Sequence, residues 1–141
     1  MKIIKDISKI NFHDAKVEKI IIENDDVFFV IPNGLSNDPE ESDVGSCKLK
    51  FKLASENDGK ISYSKFLYPA FIRRLNKNSV IYKTKEFSSL KELAKITAKE
   101  KGFEIIGWYF TTNYVNLDCV FNFFEPLRIE LDILDSELIV D

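Results

Sequence analysis

The sequence predicts an α+β domain, a mainly antiparallel sheet of about eight strands packed with one helix. Three observations carry this. Segments such as "CKLKFKL" (47–53) and "LRIELDI" (127–133) alternate apolar and polar residues, as strands with one buried face do. Only residues 89–101 show helical spacing. Aromatic residues make up 13% of the chain, twelve of them phenylalanine, which favours strands over a helical bundle. With 141 residues, 45% apolar and 30% charged, the chain reads as a single domain, 1–141, large enough to bury a core.

The elements follow in order. "KVEKIIIE" (16–23) and "VFFVIP" (27–32) are two strand-like runs around the turn "NDD" (24–26), so a hairpin is expected, ended by Pro32. Residues 33–46 have no period and carry Gly34, Pro39 and Gly45, so they read as an acidic surface loop. In 47–53, Cys47, Leu49, Phe51 and Leu53 point one way and Lys48, Lys50 and Lys52 the other. "ENDG" (56–59) reads as a turn that brings "KISYSKF" (60–66) back as the partner strand. "PAFIRRLN" (69–76) is too short for periodicity to decide, and "SVIYKTKEF" (79–87) reads as another strand.

Ser89 and Glu92 form a capping-box pattern at the start of the helix. Leu90, Leu93, Ala94, Thr97 and Ala98 supply its apolar stripe, and Gly102 its left-handed stop. "FEIIGWYFTTNYVNLDCVFNFFEP" (103–126) splits into two strands around "TTN" (111–113). In 127–133, Leu127, Ile129, Leu131 and Ile133 face in, and Arg128, Glu130 and Asp132 face out. "LDSE" (134–137) reads as a turn before a last short strand, 138–140.

The net charge of −3 is unevenly spread. Residues 1–47 carry −5, residues 48–85 carry +8, residues 86–103 carry +1 and residues 104–141 carry −7. A basic middle between acidic flanks fits either a nucleic-acid face or basic and acidic strands lying side by side in one sheet. The near-cancellation favours the second. The first residues, "MKIIKDISKINF", have scattered charges and no apolar segment, so no signal peptide and a cytoplasmic location are expected, with no membrane association. Cys47 and Cys119 are isolated and read as core thiols.

Most catalytic chemistries find no support. The only histidine, His13, stands beside Asp14, and one histidine cannot supply the several ligands of an HD-type metal site. His13 as a lone general base stays open, as a small enzyme or ligand-binding β domain. The plainer reading is that His13 and Asp14 cap a corner by bonding local backbone, between Phe12 and Ala15. No nucleophile elbow, phosphate loop, Cys/His metal spacing or EF-hand occurs, so no cofactor or metal is expected. The segment "SKFLYPAFIRRLNK" (64–77) could stack Tyr68 and Phe71 on bases while Arg73, Arg74 and Lys77 meet phosphate. The alternative is that its aromatics are core.

The opening "NFHDAKVEKIIIENDDVFFVI" resembles the start of several families of small bacterial proteins, in which an F-H-D-[AS] corner leads into a hydrophobic hairpin. Some of these are uncharacterised, and some look like immunity proteins encoded beside secreted polymorphic toxins. The resemblance covers residues 11–31, and Phe12, His13, Asp14 and Ala15 carry it. It implies a small non-catalytic protein that acts by binding another protein, with the four corner residues structural.

The reading that results is a protein-binding module, of the immunity-inhibitor type. It would cover a basic toxin domain with an acidic surface made of Asp38, Glu40, Glu41, Asp43, Glu130, Asp132 and Glu137. The alternative is a nucleic-acid-binding protein that uses Lys48, Lys50, Lys52, Arg73, Arg74 and Lys77 within the basic region 48–85.

Overall fold

Among the residues that the computed structural model describes (1–35, 45–55, 59–66, 82–121 and 125–141), ten strands and one helix form. The strands are β1 (Lys2–Ile4), β2 (Ala15–Val17), β3 (Lys19–Glu23), β4 (Asp26–Ile31), β5 (Cys47–Leu53), β6 (Gly59–Phe66), β7 (Tyr82–Phe87), β8 (Phe103–Phe110), β9 (Tyr114–Val120) and β10 (Pro126–Val140). The helix, α1, spans Leu90–Lys99. Every strand pairing is antiparallel. The predicted α+β class stands, with more strands than expected.

β10 organises the rest. Its first half, Pro126–Asp132, lies between β9 and β6, and its second half, Ile133–Val140, between β5 and β1. The expected turn at 134–137 is a β-bulge instead. Ile133 lies opposite Leu53 and Asp135 opposite Lys52, so Leu134 is the extra residue. Leu134 and Asp135 are exposed on a continuous strand, which a sequence pattern cannot tell from a turn. The bulge also moves the inward set by one residue. Leu127, Ile129, Leu131 and Ile133 are buried before it, while Leu138 is buried after it.

The expected β5–β6 hairpin does not form. β5 pairs with β4 and the second half of β10, and β6 pairs with the first half of β10 and with β7. β5 and β6 follow one another along one edge of β10, where the Ala54 N–H donates to the Asp132 carbonyl at 3.1 Å. The expected run 16–23 is likewise two strands. β2 pairs with β8 and β3 with β4, and between them the Glu18 N–H donates to the Val30 carbonyl at 2.9 Å. The β3–β4 turn needs only Asn24 and Asp25, with Asn24 at φ 55°, a conformation asparagine tolerates.

Two sheets result. The first holds β1, β3, β4, β5 and the second half of β10. The second holds β2, β6, β7, β8, β9 and the first half of β10. The strand path β2-β8-β9-β10-β5-β4-β3 starts and ends on strands joined by Glu18 alone, so the sheet returns to the segment on which it began. One apolar cluster fills the inside. Phe29 packs edge-on against Phe51 and Phe103 at 5.5 and 6.2 Å, and Phe12 against Trp108 and Phe110 at 5.9 and 5.6 Å. Such ring pairs add to the burial itself.

β5 follows its pattern: Cys47, Leu49, Phe51 and Leu53 are buried. Its lysines lie beside acidic strands. Lys52 faces Asp135 and Lys50 faces Glu137 across β10, which favours the side-by-side reading of the charge blocks. In α1, Leu90, Leu93 and Thr97 are buried. Ser89 accepts the Glu92 N–H at 3.3 Å, and the Glu92 carboxylate pairs with Lys85 of β7. The chain leaves α1 through Lys101 (φ 60°) and Gly102 (φ 95°). A Cβ on Gly102 would lie 2.4 Å from the Val17 carbonyl oxygen, so no other residue fits without a shift.

Candidate partner-binding face

The outer side of the second sheet gathers the polar chemistry of the C-terminal strands. Val115, Leu117 and Cys119 of β9 are buried, so Tyr114, Asn116, Asp118 and Val120 point outward. The same alternation turns Arg128, Glu130 and Asp132 of β10 to this face. Register aligns them in rows. One row runs Asp118, Arg128, Ser62, Glu86 across four strands, and the next places Asn116, Glu130 and Lys60 side by side. The Arg128 Nε donates to Asp118 Oδ1 at 2.9 Å, and the Tyr114 hydroxyl donates to Glu130 Oε1 at 2.7 Å. That hydrogen bond, more than partial burial, pushes the Tyr114 phenol up. Between Ile106 and Glu86 lies a trough of about 510 Å³, floored by residues such as Ser62, Ser64, Val120 and Pro126.

β8 carries a second bulge, between Ile105 and Gly107, which sends Ile106 outward. Ile106 is 44% exposed and Tyr109 61% exposed, and the Tyr109 and Tyr114 rings lie 6.5 Å apart. Sequence reading missed these positions. The signal was present in "FEIIGWYF", where two adjacent isoleucines and a glycine break the alternation, as at a bulge.

The sequence-derived acidic set does not form one surface. Glu130 and Asp132 lie on the face just described. Glu137 does not: it sits after the bulge on the first sheet, is 8% exposed, and is closed over by Lys5 and by Lys50, whose Nζ is 3.4 Å away. It is a structural ion pair rather than an accessible patch. Asp38, Glu40, Glu41 and Asp43 lie outside the described residues, and so do Arg73, Arg74 and Lys77. Of the basic alternative, Lys50 is also 3.5 Å from Asp26, and Lys48 lies between Val30 and Ile139. β5 therefore shows lysines interleaved with acids and apolar residues.

His13 occupies a corner that other groups hold. The Asn11 side chain accepts the His13 N–H at 2.9 Å, Phe12 accepts the Ala15 N–H at 3.0 Å, and the Asp14 N–H donates to Ile105 of β8 at 2.9 Å. Asp14 has φ 64°. Phe12 is fully buried. The His13 Nδ1 lies 3.0 Å from the Asp14 carboxylate, with both side chains more than half exposed. The Asn11 side chain and the Phe12 carbonyl hold this corner, and the His13 ring and Asp14 carboxylate meet each other rather than capping backbone as expected.

Cys47 and Cys119 are both buried and free. Burial pushes the Cys47 thiol up to about 11, and the Cys119 thiol also moves upward, mainly through burial. Neither is the exposed low-pKa thiol that nucleophilic chemistry needs. Among the described residues, no group of three or more His, Cys, Asp or Glu side chains could hold a metal ion, and no helix is long and apolar enough to cross a membrane. No family model matches the chain, and no curated protein or solved structure is significantly similar to it.

Proposed function

We propose that this chain is a non-catalytic protein-binding module of the cytoplasm, acting as an immunity-type inhibitor that covers a basic toxin domain. The observation that carries the reading is the outer face of the second sheet. There Glu130 and Asp132 share a surface with an outward Tyr109 and Ile106. Tyrosine and branched apolar residues amid charges are what protein-binding surfaces present, whereas solvated sheet faces bear mainly polar residues. The resemblance of residues 11–31 to immunity-type proteins supports the same class. The ladder of lysines on β5 offers little to nucleic acid, since Asp26, Asp135 and Glu137 lie beside Lys50 and Lys52.

The test begins with the gene next door. The product of an adjacent toxin-like reading frame is co-purified with this chain, and its association rate is measured. Glu130→Lys with Asp132→Lys should slow association by about tenfold or more at low salt, because rim charges act mainly on encounter, while the lost Tyr114–Glu130 hydrogen bond lowers stability by about 1 kcal/mol and leaves the chain folded. Oligonucleotide binding by the wild-type chain, weakening steeply with salt, would overturn the proposal.

A further inference from the structure

The outer face of the second sheet holds more apolar surface than its charge ladder explains. Ile106 and Tyr109 of β8 are 44% and 61% exposed, and Leu134, where β10 passes from this sheet into the first, is 63% exposed. Two of the three are the extra residues of bulges, Ile106 in β8 and Leu134 in β10. Bulges re-aim side chains and recur beside functional sites. The line starts on this face at Ile106 and Tyr109 and ends at Leu134, on the half of β10 that belongs to the first sheet. Tyr109 adjoins Tyr114 at 6.5 Å, Tyr114 lies opposite Asp132, and Leu134 follows two residues on.

The charges around this line are unbalanced. Glu86, Glu104, Asp118, Glu130 and Asp132 face Lys16, Lys60 and Arg128, and Asp118 already binds Arg128. Four acids then remain against two lysines. An apolar, tyrosine-bearing centre inside a charged rim is the anatomy of a binding hot spot, and a negative rim selects a cationic partner. The trough of about 510 Å³ beside Ile106 falls within the roughly 300–1,000 Å³ of ordinary binding clefts.

We infer that this line and its trough receive a cationic segment of another protein bearing one bulky aliphatic or aromatic anchor. The anchor packs between Ile106, Tyr109 and the trough floor at Val120 and Pro126. Its lysine or arginine neighbours meet Glu86, Glu130 and Asp132. This deepens the binding role proposed above and rests on it, since that reading requires only that a basic partner meets the acidic positions.

Three synthetic peptides test it on the full chain: alternating arginine and leucine, arginine and serine, and glutamate and leucine. Isotope-labelled protein reports where each binds. The arginine–leucine peptide should shift the Ile106 methyl and the Tyr109 and Tyr114 ring signals, and bind about tenfold tighter than either control. Tyr109→Ala should weaken it by about tenfold with the melting curve unchanged. Should Tyr109→Ala fail to fold, Ile106→Thr takes its place with the same expectation. Absence of binding by this peptide, equal binding by the glutamate–leucine peptide, or shifts centred on the β5 lysines would overturn the inference. A toxin domain that loses affinity with Glu130→Lys and Asp132→Lys but not with Tyr109→Ala would also overturn it, while leaving the functional proposal standing.

Discussion

Glu137 shows how a single side chain is bound into the fold. Alternation puts it on the outer side of the first sheet, yet it is only 8% exposed. Lys5, following β1, and Lys50, on β5, both close on it, and Asp135 shares Lys5 while Asp26 shares Lys50. The hydrogen bond from Lys5 is the main reason its carboxyl is held below the usual range. A depressed folded-state value contributes stability above the ordinary carboxylate range, and that contribution disappears as pH falls through and below it. Glu137→Gln should therefore flatten the acid limb of stability between about pH 5 and about pH 2. Denaturant melts of both proteins across that range check this, and parallel limbs would contradict the pairing. His13 is the opposite case. Its exposed ring meets the exposed Asp14 carboxylate, so His13→Ala should change stability by less than about 0.5 kcal/mol. Asn11→Ala removes the acceptor of the corner's N–H and should cost about 1 kcal/mol.

At the scale of elements, what was legible depended on whether the signal was local. β5 was readable because strict alternation requires one buried face, and α1 because a capping serine and a stopping glycine bracket its stripe. Pairing was not readable, because it depends on residues far along the chain. "KISYSKF" has a strand pattern, but nothing in it says that it adjoins Leu127–Leu131 rather than β5. "LDSE" has turn composition, but between two strands of one direction it serves as a bulge. Of the candidate site, Glu130 and Asp132 were readable from alternation, while Ile106 was not, because its exposure comes from a break in it. The acids of 38–43 lie outside the described residues. Gly102 joins the two levels, since its φ of 95° ends α1 and its missing side chain makes room for the Val17 carbonyl oxygen, which a Cβ would meet at 2.4 Å. Gly102→Ala should cost about 1–3 kcal/mol, well beyond the helix-propensity gain of alanine. A melt that shows no loss would mean that the α1–β2 contact relaxes freely.

For the whole molecule, the consequence of this topology is that neither sheet is complete without the other. β10 supplies an inner strand to both, β5 and β6 run along one of its edges from one sheet into the next, and Glu18 joins β2 of the second sheet to β3 of the first. Rings from both sheets meet in one core, as Phe51 does with Phe110 at 6.1 Å. Elements joined in this way should unfold together. Trp108, on β8, is the chain's single tryptophan and reports on the second sheet. Leu138 lies in the second half of β10, fully buried opposite Leu49 of the first sheet. Leu138→Ala should cost about 2–5 kcal/mol. The loss should appear undiminished in the denaturant midpoint of Trp108 fluorescence, although the substitution lies in the other sheet. Hydrogen exchange of the β4 and β5 amides should give the same free-energy change. A Trp108 transition that stays in place while those amides lose protection would show two separable units, and β10 would then be a tether between sheets rather than a strand shared by both.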